Sequence, residues 1–534
     1  LSALQGCGGS GADPVTDSTT LTPSGQGGPV EFLHGVASGD PLSDRVVMWT
    51  RVTPETAANA LGVRLSVFTD EALNNFVKAV ETTTDASRDF TVKIDCDGLE
   101  ADTVYFYQFQ CAGKTSIVGR TKTAPAPGST QDVALGLVSC SSLAHGFFNS
   151  YDLLANRDDL DAIVHLGDYI YEYGTNEYGS LRAYEPATEI ISLSDYRIRH
   201  GQYKKDPDLL KLHARYPFIT IWDDHESANN SYKDGAENHN EGEGDWETRK
   251  AFALQAYDEW MPIRLPEAGN TGKIFRKISF GDMADLVLLD TRLYERTLEA
   301  STPINPASDD VNNPDRTMIG QEQFDFLIDN LRSSQANWKL VGNQVVFHQW
   351  ILKPGVNNNG APNPFDDLVA PSGLNGDAWD GYSAERQRII DALRGSDGGA
   401  PVDDTIFLTG DVHSEWVADI TDSPNEPINA SGTGYNPITG EGSVATEFVV
   451  TSVTSPGLPL PNEAIQAIRV SSPHIKHVRM SDRGYSVLRL SAERAVCEYW
   501  AVSTIEQRGA TDMMTSSFEV LRGTNRIASA VSPV

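Results

Sequence analysis

Between residues 31 and 124 the chain switches from apolar to polar and back in short bursts. The runs "RVVMWTRV", "VRLSVFTD", "NFVKAVE", "FTVKID" and "TVYFYQFQ" are rich in β-branched and aromatic residues, and turn-forming residues separate them. They predict an all-β unit. From Val133 the texture differs. The apolar runs "VALGLVSC", "DAIVHLGD", "FITIWDD", "ADLVLLDTR", "WKLVGNQVVF", "TIFLTGDVH" and "ATEFVVTS" are nearly continuous, as expected of strands covered on both faces. Helical stretches lie between them: "GFFNSYDLLANRDD", "WETRKAFALQAYDEW", "GQEQFDFLIDNLRSS" and "AERQRIIDALRG". This alternation predicts a layered α/β domain over residues 133–534. Residues 125–132 form the linker between the two units. Residues 1–30 are rich in Gly, Ser, Thr and Pro, bury too little apolar surface to order themselves, and read as a tether. Two long loops, 352–382 and 421–442, read as lids or decoration.

The β unit carries a finer signal. Leu99, Thr103 and Tyr105 in "LEADTVYFY" stand at the spacing of a tyrosine corner, which predicts a fibronectin-III-like sandwich. Charge then narrows the partners. Acidic residues number 74 and basic residues 42, a net charge of −32 with His neutral. Such a surface repels polyanions, so a nucleic-acid groove is excluded. Five cysteines are too few for a disulfide scaffold. Cys96 and Cys111 are expected to stay unpaired. Cys111 ends a strand about 30 Å long and Cys96 precedes the turn that opens it, whereas a disulfide needs Cα atoms within about 7 Å. Cys7 follows Leu4-Gln5-Gly6, an order that resembles the lipobox of bacterial lipoproteins. That resemblance implies an exported, periplasmic or extracellular protein with a lipid anchor at Cys7. No other segment reaches the ~20 apolar residues of a membrane span.

The ends of the α/β strands share a chemistry. "LGLVSC" ends on Cys140, "IVHLGDYIY" on Asp168 and Tyr171, "FITIWDDHE" on Asp223, Asp224 and His225, and "IFLTGDVHS" on Asp411 and His413. A lone Asp after Gly usually caps a turn, and a lone Cys, Tyr or His usually packs. Four such endings in one domain are different, because sites in open α/β sheets lie beyond the carboxyl ends of strands. Thiolate, phenolate and imidazole together favour a ferric or similarly Lewis-acidic ion. Asp224 and Asp411 with Asp168 offer oxygen alone, as calcium or magnesium prefers. Two ions bridged by Asp168 form a two-metal site, where a metal-bound hydroxide attacks phosphorus at neutral to alkaline pH. His225, beside the second ion, can protonate the leaving oxygen or bond the phosphoryl group.

At these residues the chain resembles the PhoD-like alkaline phosphatases, metallophosphatases related in site design to purple acid phosphatases. "HGVASGDPLSDRVVMWTRV", "SCSS", "LGDYIYEYG", "WDDHESANN", "RTMIGQEQFDFL", "LTGDVHSEW" and "GYSVLRLSAERAVCEYW" carry the resemblance in order from Phe32 to Val502. It implies a β-sandwich followed by a catalytic domain holding ferric iron (Fe3+) and calcium (Ca2+), with magnesium (Mg2+) or another divalent ion as alternatives at the second position. Cys140, Asp168, Tyr171 and His413 match the iron ligands. Asp168, Asp224 and Asp411 match the calcium side, with Asp223 and Asn230 beside them and His225 as the catalytic residue. Where a purple acid phosphatase has a further His after an apolar strand, this chain has Asn343 or Gln344, and a metal contact by either is left open. Arg292 in "LLDTR" reads equally as a site residue or as half of a structural ion pair. The expected protein is a monomeric hydrolase of small-molecule phosphate esters. A phosphodiesterase or phospholipase-D-like enzyme is the alternative, and a non-catalytic binding lipoprotein is the third.

Overall fold

The computed structural model describes residues 28–300, 308, 310–352, 372–373, 375–457, 460 and 462–530. Cys7, with the lipid-anchor expectation, lies outside them, as does most of the loop 352–382. Two sheets, one of ten strands and one of seven, make up the larger part. In the first, Val133–Val138, Ala162–His165 and Pro217–Thr220 run parallel side by side. Gly484–Leu490, Arg494–Val502 and Asp512–Leu521 extend it antiparallel on one flank. In the second, Ala284–Leu288, Trp338–Gly342, Thr405–Thr409 and Ala445–Val449 run parallel.

The two sheets face one another, and alternation along each strand assigns the side chains. Leu286 and Leu288 enter a core shared with Leu135, Leu137 and Ile163 of the opposite sheet. Val287 points the other way, into a second core with Leu327, Leu331, Ile389 and Leu393 of the helices Gly320–Ser333 and Ser383–Arg394. The predicted helix "WETRKAFALQAYDEW" is found as Trp246–Trp260, opened by Asp245, whose carboxylate accepts from Thr248 N. Three further helices, Leu193–Lys204, Pro207–Arg215 and Asn462–Ser471, were not among those predicted. The first hides its pattern because it buries Arg199, His200 and Lys204.

The N-terminal unit is the expected all-β sandwich. Leu61–Phe68, Phe76–Thr84, Val104–Cys111 and Gly119–Lys122 form one sheet. Val36–Gly39, Val46–Arg51 and Thr91–Cys96 face it across Val46, Met48, Leu65, Val67 and Tyr107. Tyr105 Oη accepts from Glu100 N at 2.8 Å, which closes the tyrosine corner. Cys96 and Cys111 are free and buried. One feature was not predicted: Val36–Gly39 pairs in parallel with Pro217–Thr220, so the sandwich strands complete the ten-stranded sheet. The two units are joined through a shared sheet as well as a linker.

Candidate metal centre

The strands that carry the predicted ligands end at one rim. Cys140 follows Val138, Asp168 follows His165, Asp223 to His225 follow Thr220, and Asp411 follows Thr409. Two glycines let the rim close. Gly167 has φ +102°, and a Cβ there would lie 2.4 Å from Asp223 Cβ. A Cβ on Gly410 would meet Ser139 Cβ at 2.9 Å, so this glycine lets the second sheet touch the first. Cys140 N donates to Gly167 O at 3.1 Å, and Ser141 N to Asp168 O at 2.9 Å. Cys140, Asp168, Asn230, Asp411 and His413 all hold left-handed backbones, with φ of 57°, 56°, 49°, 64° and 52°. Each such conformation costs roughly 1–3 kcal/mol and survives only where its surroundings enforce it, which is typical of functional sites.

The donor atoms converge in overlapping groups. Cys140, Asp168 and His413 offer ligand atoms within 4.8 Å of one another, and so do Asp168, Asp224 and His225, and Asp223, Asp224 and Asp411. Asp168 therefore links the first two groups, and Asp224 links the second to the third. Tyr171 Oη donates to Asp168 Oδ2 at 2.9 Å and lies 3.3 Å from His413 Nε2. Ser455 Oγ donates to Tyr171 Oη at 2.6 Å. His413 Nδ1 faces Pro456 O at 2.8 Å, which fixes the proton on Nδ1 and leaves the Nε2 lone pair for an ion. Asn230 is placed differently. Its backbone N donates to Asp224 Oδ2 at 2.7 Å, its side-chain amide donates to Glu237 at 2.8 Å, and it lines the adjoining cavity.

The electrostatics of this set fit a cation. Burial, then the neighbouring acids, pushes the Asp168 carboxyl far above its usual range, and Asp411 is pushed up to about 8 mainly by burial. Burial and the Asp168 charge likewise hold the Cys140 thiol and the Tyr171 phenol protonated. Burial pushes His413 down to about 3, which keeps it neutral. Asp168 Oδ1 and Asp223 Oδ2 are buried without a hydrogen-bond partner among the described residues. Orphaned carboxylate oxygens beside a thiol, a phenol and a neutral imidazole are the donors that a Lewis-acidic ion would satisfy.

His225 sits in a different balance. Burial disfavours its charge, but Asp224, Glu172 and Asp168 together outweigh burial and raise it well above its ordinary value. Its Nδ1 lies 2.7 Å from Glu172 Oε2, and its ring stacks on Tyr171 with centroids 4.2 Å apart. Glu172 Oε1 accepts from Asn229 N at 2.8 Å and Asn238 Nδ2 at 2.9 Å, so the carboxylate that orients His225 is itself held.

The acid cluster has further participants. Arg292 is fully buried inside the acid cluster. It bonds Asp223 through Nε, both oxygens of Asp377 at 2.7 and 2.8 Å, and Asp411 at 3.0 Å. Both readings of Arg292 thus meet in one residue: it is an ion-pair partner, and the pairing is in the site. Asp377 falls in the loop 352–382 and gave no motif. Glu226, inside "WDDHESANN", accepts from the backbone N of Asp223 at 2.7 Å and of Asp168 at 3.2 Å, clamping two ligand loops together. Glu172 lies in the same "GDYIYE" stretch as Asp168 and Tyr171. Asn343 and Gln344 turn elsewhere. Asn343 bonds Val345 O, Thr409 Oγ1 and Trp379 Nε1, while Gln344 bonds Thr291 and Leu289 O. Their polar atoms are taken up by structural hydrogen bonds.

The acid cluster opens into a cavity of about 630 Å³ lined in part by Asp168, Asp224, His225, Asp411 and His413. The chain is similar to known proteins. Residues 135–499 match the family model "PhoD-like phosphatase", and residues 18–125 match "PhoD-like phosphatase, N-terminal domain". Alkaline phosphatase D of Bacillus subtilis is 34% identical over 502 residues, covering 91% of this chain and 80% of that protein. A solved structure of PhoD superposes with a TM-score of 0.83 at 33% identity, covering 94% of this chain and 92% of that one. A purple acid phosphatase from yellow lupin seeds matches at a TM-score of 0.53 and 14% identity, covering 91% of this chain and 74% of that one, a likeness of fold.

Proposed function

Because the chain belongs to the PhoD-like phosphatase family and is a phosphoric ester hydrolase, we propose that its centre holds ferric iron on Cys140, Asp168, Tyr171 and His413. Calcium, or another divalent ion, sits on Asp168, Asp224 and Asp411, with Asp223 and Asn230 beside it. The observation that carries this assignment is a run of linked ligand groups: Asp168 joins Cys140 and His413 in one, with the Tyr171 phenol beside them, and Asp224 and His225 in the next, while Asp224 joins Asp223 and Asp411 in an all-carboxylate third. When bound, the ions supply an activated water and the positive charge that a phosphoryl transition state needs.

The chain's own groups do the rest. With Nδ1 of His225 taken by Glu172, Nε2 is the nitrogen left for substrate. The surrounding carboxylates keep that imidazole protonated, so it donates a proton to the leaving oxygen as the ester bond breaks. Stacking on Tyr171 and the Glu172 clamp hold the ring in place. Arg292 neutralises part of the carboxylate charge that would otherwise repel an incoming phosphate.

Elemental analysis of natively purified protein tests the metals: iron and calcium near one per chain support the assignment, and an active, iron-free protein refutes the ferric half. Comparison of p-nitrophenyl phosphate with its bis ester separates a monoesterase from the phosphodiesterase alternative, by whichever has the higher kcat/KM. Export with a lipid on Cys7, and a monomeric state, complete the proposal. Palmitate labelling of cells expressing the protein, with Cys7→Ser as control, and light scattering test these two.

A further inference from the structure

The cavity beside the acid cluster has two unlike ends. Its volume of about 630 Å³ is that of a pocket that encloses a whole organic molecule, not a phosphate alone. One end is the acid cluster. The other is formed by Trp350, Trp416, Val412, Leu460, Ile468 and Met480. Its polar handles are already used. Trp350 Nε1 donates to His348 Nε2 at 2.5 Å, and Trp416 Nε1 to Ser414 Oγ at 2.8 Å. Among the described residues these six side chains therefore present carbon and a thioether to the cavity, with no free indole donor.

The wall is also held rigid. The two indole rings lie 4.6 Å apart and tilted. His348 is fixed by Glu447 at 2.6 Å, and Trp350 N donates to Asp380 Oδ2 at 2.6 Å. A sugar or polyol placed here would bury hydroxyls without partners, which is costly. A hydrocarbon group would gain affinity with each methylene it buries.

We propose that this wall is an apolar subsite for the organic substituent of the substrate, so that the preferred esters carry an alkyl or aryl group rather than a polyol. The proposal rests on the phosphate-ester chemistry given above. The n-alkyl phosphates from ethyl to hexyl test it, since their leaving alcohols have nearly the same acidity and differ chiefly in apolar length. For the metal-loaded enzyme kcat/KM should rise about fourfold per methylene until the wall is covered. An ω-hydroxyl on the longest chain should remove most of the gain. Calorimetric binding of the matching alkylphosphonates, which cannot be hydrolysed, should show the same slope. Ile468→Asn and Met480→Gln should flatten both slopes. A slope compares ligands within one variant, so a loss of folded protein cancels. Hydrolysis or phosphonate binding with no dependence on chain length overturns the subsite and leaves the phosphatase intact. Neither hydrolysis nor phosphonate binding overturns the proposed centre, and the subsite with it.

Discussion

Asp40→Asn should loosen the joint between the sandwich and the catalytic domain. Asp40 ends "HGVASGD", the first stretch of the family resemblance, and its carboxylate is fully buried. It accepts from Arg276 Nε at 2.9 Å and Nη2 at 2.7 Å, and from Arg264 N at 2.6 Å. Its own N donates to Phe218 O at 3.0 Å, where the two units share a sheet. Gly39 makes this approach possible, since a Cβ there would meet Pro262 O at 2.2 Å and Phe218 O at 2.6 Å. The Asn variant keeps the size and removes the charge, leaving the Arg276 guanidinium buried without a counter-ion. Removing one partner of a buried pair costs about 3–5 kcal/mol. Hydrogen exchange followed by mass spectrometry reads the local opening directly. Amides of residues 36–51 and 217–221 should exchange roughly 10²–10⁴-fold faster, with 1.4 kcal/mol per factor of ten. The double variant Asp40→Asn/Arg276→Met should exchange more slowly than Asp40→Asn alone, because the stranded charge is gone. Equal protection in wild type and Asp40→Asn, or a double variant worse than either single one, would refute the argument.

Four further outcomes are expected. A calcium-selective chelator should inactivate the enzyme reversibly while iron stays bound, as carboxylate-held ions exchange more readily than an ion on thiolate and phenolate; activity with calcium shown absent would remove the roles of Asp224 and Asp411. His225→Ala should lower kcat by roughly 10²–10⁴, with a smaller loss for esters with good leaving groups; an equal loss for every ester would leave His225 only a positioning role. The iron form should be coloured by charge transfer from ligand to metal, and Tyr171→Phe should remove or shift the visible band while circular dichroism stays unchanged; a band untouched by the substitution would exclude the phenolate. His34 and His200 are both pushed down to about 3, by burial first and then by nearby Lys and Arg side chains. The unfolded chain protonates first, so their stabilisation is intact above pH 6.5 and falls as pH drops toward about 3; a urea midpoint that shows less acid sensitivity in His200→Gln would bear this out, and an unchanged pH profile would not.

The layers of the catalytic domain were legible because strands covered on both faces stay apolar throughout, as in "AIVH" and "TIFLT". The candidate ligands were legible for a related reason. Cys140, Asp168, Asp224 and Asp411 stand just past those runs, where a change from apolar to ionisable is abrupt. Other features left no local trace. Nothing in the one-dimensional pattern marks Cys140 or His413 as left-handed, since only glycine advertises that conformation. The pairing of Val36–Gly39 with Pro217–Thr220 joins segments far apart in sequence, and each alone reads as an ordinary strand. Asp377 reaches the site from a loop whose composition says only that it is a loop.

Arg292 explains how so acidic a centre keeps its shape. Buried carboxylates at Asp223, Asp224, Asp377 and Asp411 repel one another, and their charge must be balanced by an ion, a proton or a fixed cation. Arg292 is that fixed cation, contacting Asp223, Asp377 and Asp411 directly, with Asp224 3.8 Å away. It serves only the oxygen-rich half. On the other half burial holds Cys140, Tyr171 and His413 neutral, and a Lewis-acidic ion held there would favour the deprotonated thiol and phenol. The halves are thus balanced by different means. One is partly neutralised by the chain's own Arg292, while the other has donors that a bound ion would complete. The halves still feel one another, because, beyond burial, Asp168, Asp411 and Asp223 all raise the Cys140 thiol.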